Sequence, residues 1–288
     1  KSTVCTIIAK NYLAHARCLT DSFLTQYPEG QVFVLLVDEP GDDIDLSQER
    51  FTTILANDIG IPDFKQMAFR YTVLELSTAV KPFFLEYLFR NYALKSVLYF
   101  DPDIYFYDRI DEILTLLDTH GIVLTPHLTG FQEDDDPTDD LFILLAGVYN
   151  LGFIGLAQHS ELYTFLHWWQ GKLLKNCIVD QTGGLFVDQR WIDLVPGMFS
   201  NVFIHRDPGC NAAFWNLHYR SIEQTGAGYT VNGSPLKFFH FSGLLMDKVD
   251  AISKHKIQYS LENFPHLRPL FNGYRDALLS NGYEEVRG

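Results

Sequence analysis

The stretch Val97-Leu98-Tyr99-Phe100-Asp101-Pro102-Asp103-Ile104-Tyr105-Phe106 runs an apolar segment of strand length into two carboxylates one residue apart. A buried strand that stops at paired acids carries hard oxygen ligands to the rim of a sheet, where a divalent cation and the phosphates it neutralises can sit. The same residues also suit an ordinary turn in which Asp101 caps Pro102-Asp103. The surroundings have to decide between a metal-nucleotide site and a turn.

Upstream, Val4 to Ala9 reads as a first strand, and Tyr12 leads into a helix through His15, Ala16, Leu19 and Phe23 that stops at Tyr27-Pro28-Glu29-Gly30. Gln31 to Val37 reads as a second strand ending at Asp38. The segment Phe69 to Leu76 is ambiguous, while Ser77 to Phe89 predicts one helix with a Ser or Thr cap, Pro82 in its first turn and Lys81 near its start. Downstream, Ile110 to Leu117 predicts a short helix and Ile122 to Thr125 a strand. Gly130 to Asp140, with Glu133-Asp134-Asp135-Asp136-Pro137, reads as a mobile, solvated acidic loop. Val148 to Leu156 is a strand whose small residues let a ligand approach the backbone, and Leu162 to Leu174 is an aromatic-rich helix. Alternating strands and helices of this kind predict an α/β fold with a mainly parallel sheet. In such sheets ligands bind beyond the carboxyl ends of the strands, so Ala9 to Tyr12, Asp38 and Asp101 to Asp103 are expected to face one cleft.

The chain has 288 residues, of which 47% are hydrophobic and 20% charged, enough to bury a large core. Its formal net charge of −14 opposes binding to nucleic acid or an anionic membrane surface. Cys5, Cys18, Cys177 and Cys210 show no paired spacing and sit mostly in apolar surroundings, as reduced packing residues do. That usage fits the cytoplasm, with a peripheral position at the inner membrane face left open. No apolar run is long enough for a transmembrane segment. The sequence starts at Lys1 with neither an initiator Met nor a signal-like segment, as expected of a chain trimmed at its N-terminus. Domain organisation is read as one domain over residues 1–243 with a helical extension, 244–288, packed on it.

Several motifs, in order, resemble the nucleotide-sugar glycosyltransferases of the GT-A fold, most closely the family 8 group that includes glycogenin and bacterial lipopolysaccharide glycosyltransferases. They are the first strand leading to Asn11-Tyr12, Lys81 on a helix before Leu98-Tyr99-Phe100-Asp101-Pro102-Asp103, then Tyr149-Asn150-Leu151-Gly152, Asp188-Gln189 and His240-Phe241-Ser242-Gly243. Asn211-Ala212-Ala213-Phe214-Trp215-Asn216-Leu217-His218 is similar to bacterial glycosyltransferases of capsular and other surface polysaccharide biosynthesis.

The resemblance implies a Rossmann-like mixed sheet flanked by helices. It also implies Mn²⁺ or Mg²⁺ held by Asp101, Asp103 and His240 against the diphosphate of a nucleotide-sugar donor. Mixed carboxylate and imidazole donors favour Mn²⁺. Lys81 would add a cation, Tyr12 would stack on the base, and the backbone of Thr6, Ile8 and Ala9 would read its edge, with Gly243 completing the donor site. Asn150, Asp188 and Gln189 would surround the transferred sugar and the hydroxyl of a glycan or glycolipid acceptor. Family 8 enzymes retain anomeric configuration, which implies front-face displacement with the leaving phosphate taking the acceptor proton.

The chain departs from the family at Ala9-Lys10, where an acid that contacts uracil is common, so a UDP-sugar is less strongly implied than the sugar-nucleotide class. It departs again at Leu244-Leu245-Met246, where a phosphate-gripping Lys-Pro-Trp is common, leaving Lys237 or Lys248 as substitutes. Each assignment has a structural alternative. His240 suits a core histidine, Lys81 a solvated helix residue, Asp188 a cap for Arg190-Trp191-Ile192, and Asn150 and Gly152 a bulge. Tyr12 and Trp215 suit packing, and His205, His218 and Trp215 also suit acceptor contacts. Two other functional classes remain. A sugar-nucleotide nucleotidyltransferase would want a Gly-rich phosphate loop, which Ile7 to Asn11 lacks, and a catalytically silent nucleotide- or glycan-binding protein would not need the acids.

Overall fold

The computed structural model describes residues 1–39, 41, 45–131 and 138–286. The acidic segment Glu133–Pro137 lies outside the described residues. The first half runs β1 (Thr3–Ile8), α1 (Leu13–Gln26), β2 (Gln31–Leu36), β3 (Thr52–Leu55), α2 (Phe64–Arg70), α3 (Val73–Ala79), α4 (Lys81–Asn91), β4 (Ser96–Phe100), β5 (Ile104–Phe106), α5 (Asp111–Leu116) and β6 (Ile122–Pro126). Then come α6 (Thr138–Ala146), β7 (Tyr149–Ala157), α7 (Leu162–Asn176), β8 (Val179–Asp180), β9 (Leu185–Phe186), α8 (Gln189–Ile192), α9 (Val195–Met198) and β10 (Val202–Ile204). The chain continues through β11 (Ala212–Ala213), β12 (Ile222–Thr225), β13 (Gly228–Val231), β14 (Ser234–Pro235) and β15 (Phe238–His240), and ends in α10 (Arg268–Ser280) and α11 (Tyr283–Val286).

The main sheet has seven strands in the order β10-β6-β7-β4-β1-β2-β3, all parallel except β7, which runs against both β4 and β6. Strand periodicity sorts the decisive stretch onto two faces. Val97 and Tyr99 join the core beneath α4 and α7 with Phe84, Leu88, Phe165 and Trp169. Leu98 and Phe100 join the opposite core with Leu19 and Phe23 of α1. Each fully buried side chain of this kind contributes about 1.5–3 kcal/mol. A third cluster packs Phe239 and Phe241 against Phe271, Tyr274 and Leu278, with Phe241 and Tyr274 stacked at 4.0 Å. The four cysteines are free and buried. No described helix is long and apolar enough to cross a membrane.

The helix predicted from Ser77 is two helices. Ser77 and Thr78 lie in the last turn of α3, which starts at a Thr72–Glu75 capping box, and α4 begins at Lys81 with Pro82 in its first turn and no side-chain cap. The ambiguous Phe69–Leu76 segment is the junction of α2 and α3.

A small second sheet, β11-β15-β5, sits beyond β4. The chain leaves β4, turns through Asp101-Pro102-Asp103 with Ile104 N–H donating to the Asp101 carbonyl at 3.1 Å, and enters β5. β5 pairs antiparallel with β15, setting Ile104 opposite His240, and Phe241 N–H donates to the Asp103 carbonyl at 2.9 Å. That register carries a late imidazole to the acid pair.

Candidate active site

The two acids and the imidazole sit where strands end or begin. Asp101 closes β4, its N–H bonded to the Gly152 carbonyl at 2.8 Å, and its carboxylate accepts from Tyr99 Oη at 2.8 Å. His240 Nε2 lies 3.0 Å from Asp103 Oδ1 and 3.8 Å from Asp101 Oδ2. One ligand atom from each of these three residues falls within 4.8 Å of the others. Gly152 makes this approach possible, because a Cβ there would stand 2.4 Å from His240 Cε1. His240 is a buried residue aimed at two acids, and not merely a core histidine.

A second carboxylate–cation pair lies alongside. Lys81, at the first turn of α4, is 1% exposed, so it is no solvated helix residue. Its Nζ lies 2.6 Å from Asp188 Oδ2, donates to the Leu151 carbonyl at 2.9 Å, stands 4.0 Å from Asp101 Oδ1 and sits 4.1 Å from the Tyr99 ring centre. Asp188 precedes α8 but makes no side-chain cap bond, so its carboxylate serves Lys81 rather than the helix. The residue before it, Val187, has φ 42°, a left-handed conformation costly for a β-branched side chain at about 1–3 kcal/mol. Trp169 Nε1 holds the Asp188 carbonyl at 3.3 Å.

The buried carboxyls of the two pairs shift in opposite directions. Burial pushes the Asp188 carboxyl up to about 6, against the pull of Lys81 and helped by Asp101. Burial also pushes Asp103 up, but His240 and, more weakly, His15 outweigh it and hold that carboxyl below its ordinary value. For His240 burial works downward, and Asp103 and Asp101 overcome it, leaving the imidazole above its ordinary value. Burial pushes His15 and His127 down to about 4.

Two cavities meet at the acid pair. One, of about 460 Å³, is lined by Lys81, Asn150, Asp188, Gln189, Trp215 and Gly243 among others. The other, of about 530 Å³, is lined by Ile7 to Tyr12, Asp38, Leu74, Ser77 and Tyr99. Tyr12, Leu74, Thr78, Asp101 and Asp103 line both. Tyr12 is 41% exposed and stacks on His15 at 4.5 Å. Of the predicted donor-site residues, Ile8 and Ala9 reach the second cavity, whereas Thr6 lies inside β1 opposite Val34 and lines neither. Asp38 accepts from Lys10 N–H at 2.9 Å, which ties the ends of β1 and β2 together.

Other expectations are corrected. Lys237 is paired with Asp207 and, at 3.4 Å, with Glu112, so it is no substitute phosphate ligand. Lys254 lines the first cavity instead. His205 lies with Asp207 and Cys210, and His218 lines a separate cavity, so neither reaches the cleft. Trp215 both packs and lines the cavity, edge-on to His240 at 5.2 Å and His127 at 5.1 Å. Sequence reasoning missed His127, which follows β6 directly and was signalled by the same strand-end rule that picked out Asp101. It also missed His15, His255 and Phe142, which line the first cavity and belong to no motif.

This sheet order, with one reversed strand and a second small sheet beyond the acids, is the GT-A fold, which the chain shares with solved glycosyltransferases. The chain is similar to the galactosyltransferase LgtC, solved with donor and acceptor sugar analogues, with a TM-score of 0.53 at 13% identity over 96% of this chain and 95% of that one. It is also similar to the glycosyltransferase GlyE of Streptococcus pneumoniae, with a TM-score of 0.55 at 13% identity over 99% of this chain and 64% of that one. Among curated proteins it is 26% identical to the uncharacterized protein YfnF of Bacillus subtilis over 95% of this chain and 97% of that protein. It is 23% identical to YfnD of the same organism over 84% and 77%. No protein-family model matches the chain.

Proposed function

We propose that this chain is a metal-dependent glycosyltransferase, similar to family 8, that moves a sugar from a nucleotide donor to a hydroxyl of a glycan or glycolipid with retention. The observation that carries the reading is the convergence of Asp101, Asp103 and His240 where two cavities join. The donor set of two carboxylates and one imidazole fits Mn²⁺ best and Mg²⁺ next. When bound, such an ion neutralises charge on the departing diphosphate.

The protein's own residues supply positioning. Tyr12, with Ile8 and Ala9, offers the second cavity a ring and a strand end for a nucleoside, and a UDP-sugar is the first donor to test. The first cavity, in the lower part of the roughly 300–1,000 Å³ range typical of small-molecule sites, suits the sugar and the acceptor hydroxyl. Lys81 holds a buried positive charge between Asp188 and Asp101, and Asp188, Gln189 and Asn150 line the cavity offered to the sugar, with Gly243 at its rim. Retention assigns the acceptor's proton to the leaving phosphate, leaving the protein to orient the groups and stabilise charge. Residues 1–243 would form the catalytic domain, with 244–288 an extension whose Phe271 and Tyr274 pack on Phe241. A cytoplasmic setting fits the four free cysteines.

A panel of sugar nucleotides with Mn²⁺ tests the reading. One donor is expected to be hydrolysed slowly without acceptor, and Asp103→Asn is expected to abolish that hydrolysis. Equal turnover in chelator overturns the metal assignment. A thermal shift with nucleotide and no turnover with any donor favours a silent binding protein.

A further inference from the structure

The hydrogen bonds behind His240 run back to backbone groups whose direction is not negotiable. Gln189 Oε1 lies 3.0 Å from the Leu151 N–H, and Gln189 Nε2 lies 2.9 Å from the Ala146 carbonyl. A main-chain N–H only donates and a carbonyl only accepts, so the Gln189 amide has one orientation. Its Oε1 then faces Asn150 Nδ2 at 3.3 Å, which must donate. The other end of the same amide, Asn150 Oδ1, accepts from the Gly152 N–H at 3.2 Å and from Asn211 Nδ2 at 3.0 Å. Asn211 Nδ2 also donates to Thr125 Oγ1 at 3.0 Å.

Two independent main-chain anchors thus fix Asn150 in the same sense. Its Oδ1 carries no proton, and His240 Nδ1 lies 3.2 Å from it. A hydrogen bond there requires the proton to sit on Nδ1. Asn150 Nδ2 also meets His127 Nε2 at 3.2 Å, and that nitrogen must accept.

We infer that Gln189 and Asn150 form an amide relay that keeps Nδ1 of His240 protonated, leaving Nε2 as the atom presented to Asp101 and Asp103. Asn150 is then a positioning residue for the imidazole. Metal-ligating histidines are oriented in this way by whatever holds their other nitrogen, and loss of such a partner typically lowers metal affinity 10–100-fold. The use made of Nε2 rests on the metal reading above, whereas the position of the Nδ1 proton does not.

The test is ¹⁵N NMR of the histidine-labelled chain at a pH high enough that the His240 ring is neutral, metal-free and again with a diamagnetic divalent ion, with His240 assigned by its loss in His240→Gln. The expected result is a pyrrole-type Nδ1 in both samples. A pyridine-type Nδ1 in the metal-free protein overturns the relay whether or not the chain binds metal. Mn²⁺ binding followed by EPR is expected to weaken about tenfold or more in Asn150→Ala, with Asn150→Asp, which keeps an acceptor, retaining the pyrrole-type Nδ1. An unchanged Nδ1 signal in a folded Asn150→Ala protein also overturns the inference. Absence of Mn²⁺ binding in the unsubstituted protein defeats the metal reading alone.

Discussion

Two carboxylate–cation pairs stand side by side in this cleft, Asp188 with Lys81 and Asp103 with His240, and they are built for different ends. Asp188 and Lys81 are both sealed, at 2% and 1% exposed, and each is the other's main electrostatic partner. Asp103 and Asp101 keep 22% and 30% of their side chains open to the cavity and share one imidazole. A closed pair satisfies itself and stiffens the frame. An open cluster with more negative than positive charge leaves an appetite for a cation. The opposite pKa directions of Asp188 and Asp103 record the same contrast.

The comparison breaks most visibly at Lys81. Lys81→Met leaves a carboxylate buried without a cation, which is expected to cost about 3–5 kcal/mol in urea unfolding. Asp103→Asn, at the open site, is expected to change stability by about 1 kcal/mol or less while removing metal binding. Similar losses of stability from both would erase the distinction.

The pH dependence sharpens it next. Asp188 moves from 3.8 in the unfolded chain to about 6 in the fold, so between those values the folded state holds a proton the unfolded state has released. Stability from this group is therefore expected to fall as pH rises from about 4 to 6, by on the order of 3 kcal/mol, and then level off. Comparing the slopes of melting temperature against pH for the parent protein and Asp188→Asn isolates the contribution. An identical slope would show that Asp188 is not the titrating group.

A smaller effect on folding than those at Lys81 and Asp188 belongs to the glycine that lets the open cluster form. Gly152→Ala places a methyl against His240 Cε1 and Asn150 Oδ1, expected to cost about 1–3 kcal/mol and to displace the imidazole. Mn²⁺ affinity should fall more than stability does, and a variant that keeps full affinity would show that the close approach is dispensable.

Legibility in the sequence followed burial. Val97 to Phe100 and Leu151 to Leu156 are continuous apolar runs because both faces of those strands are covered, so their elements and the acids at the end of β4 could be read directly. Among the described residues, α6 was not read because Leu141, Phe142, Leu144 and Leu145 are substantially exposed, and periodicity signals a helix only when one stripe is hidden. The β12–β13–β14 sheet escaped because its strands are short and largely solvent-facing. Within the site, motifs indicated which residue types mattered but not their partners. Nothing in the spacing of Lys81 and Asp188 tells that they seal each other off, or that Asn211 reaches back to Asn150. Those contacts depend on side-chain directions that only tertiary packing sets.

The imidazole rides on β15, the last strand among the described residues, and its partner β5 forms much earlier in the chain. During synthesis the seven-stranded sheet can assemble on the ribosome before that strand emerges, since every one of its strands precedes residue 205. A nascent chain stalled at that length would carry the sheet strands and both acids without the imidazole, because long-range pairing of this kind closes last.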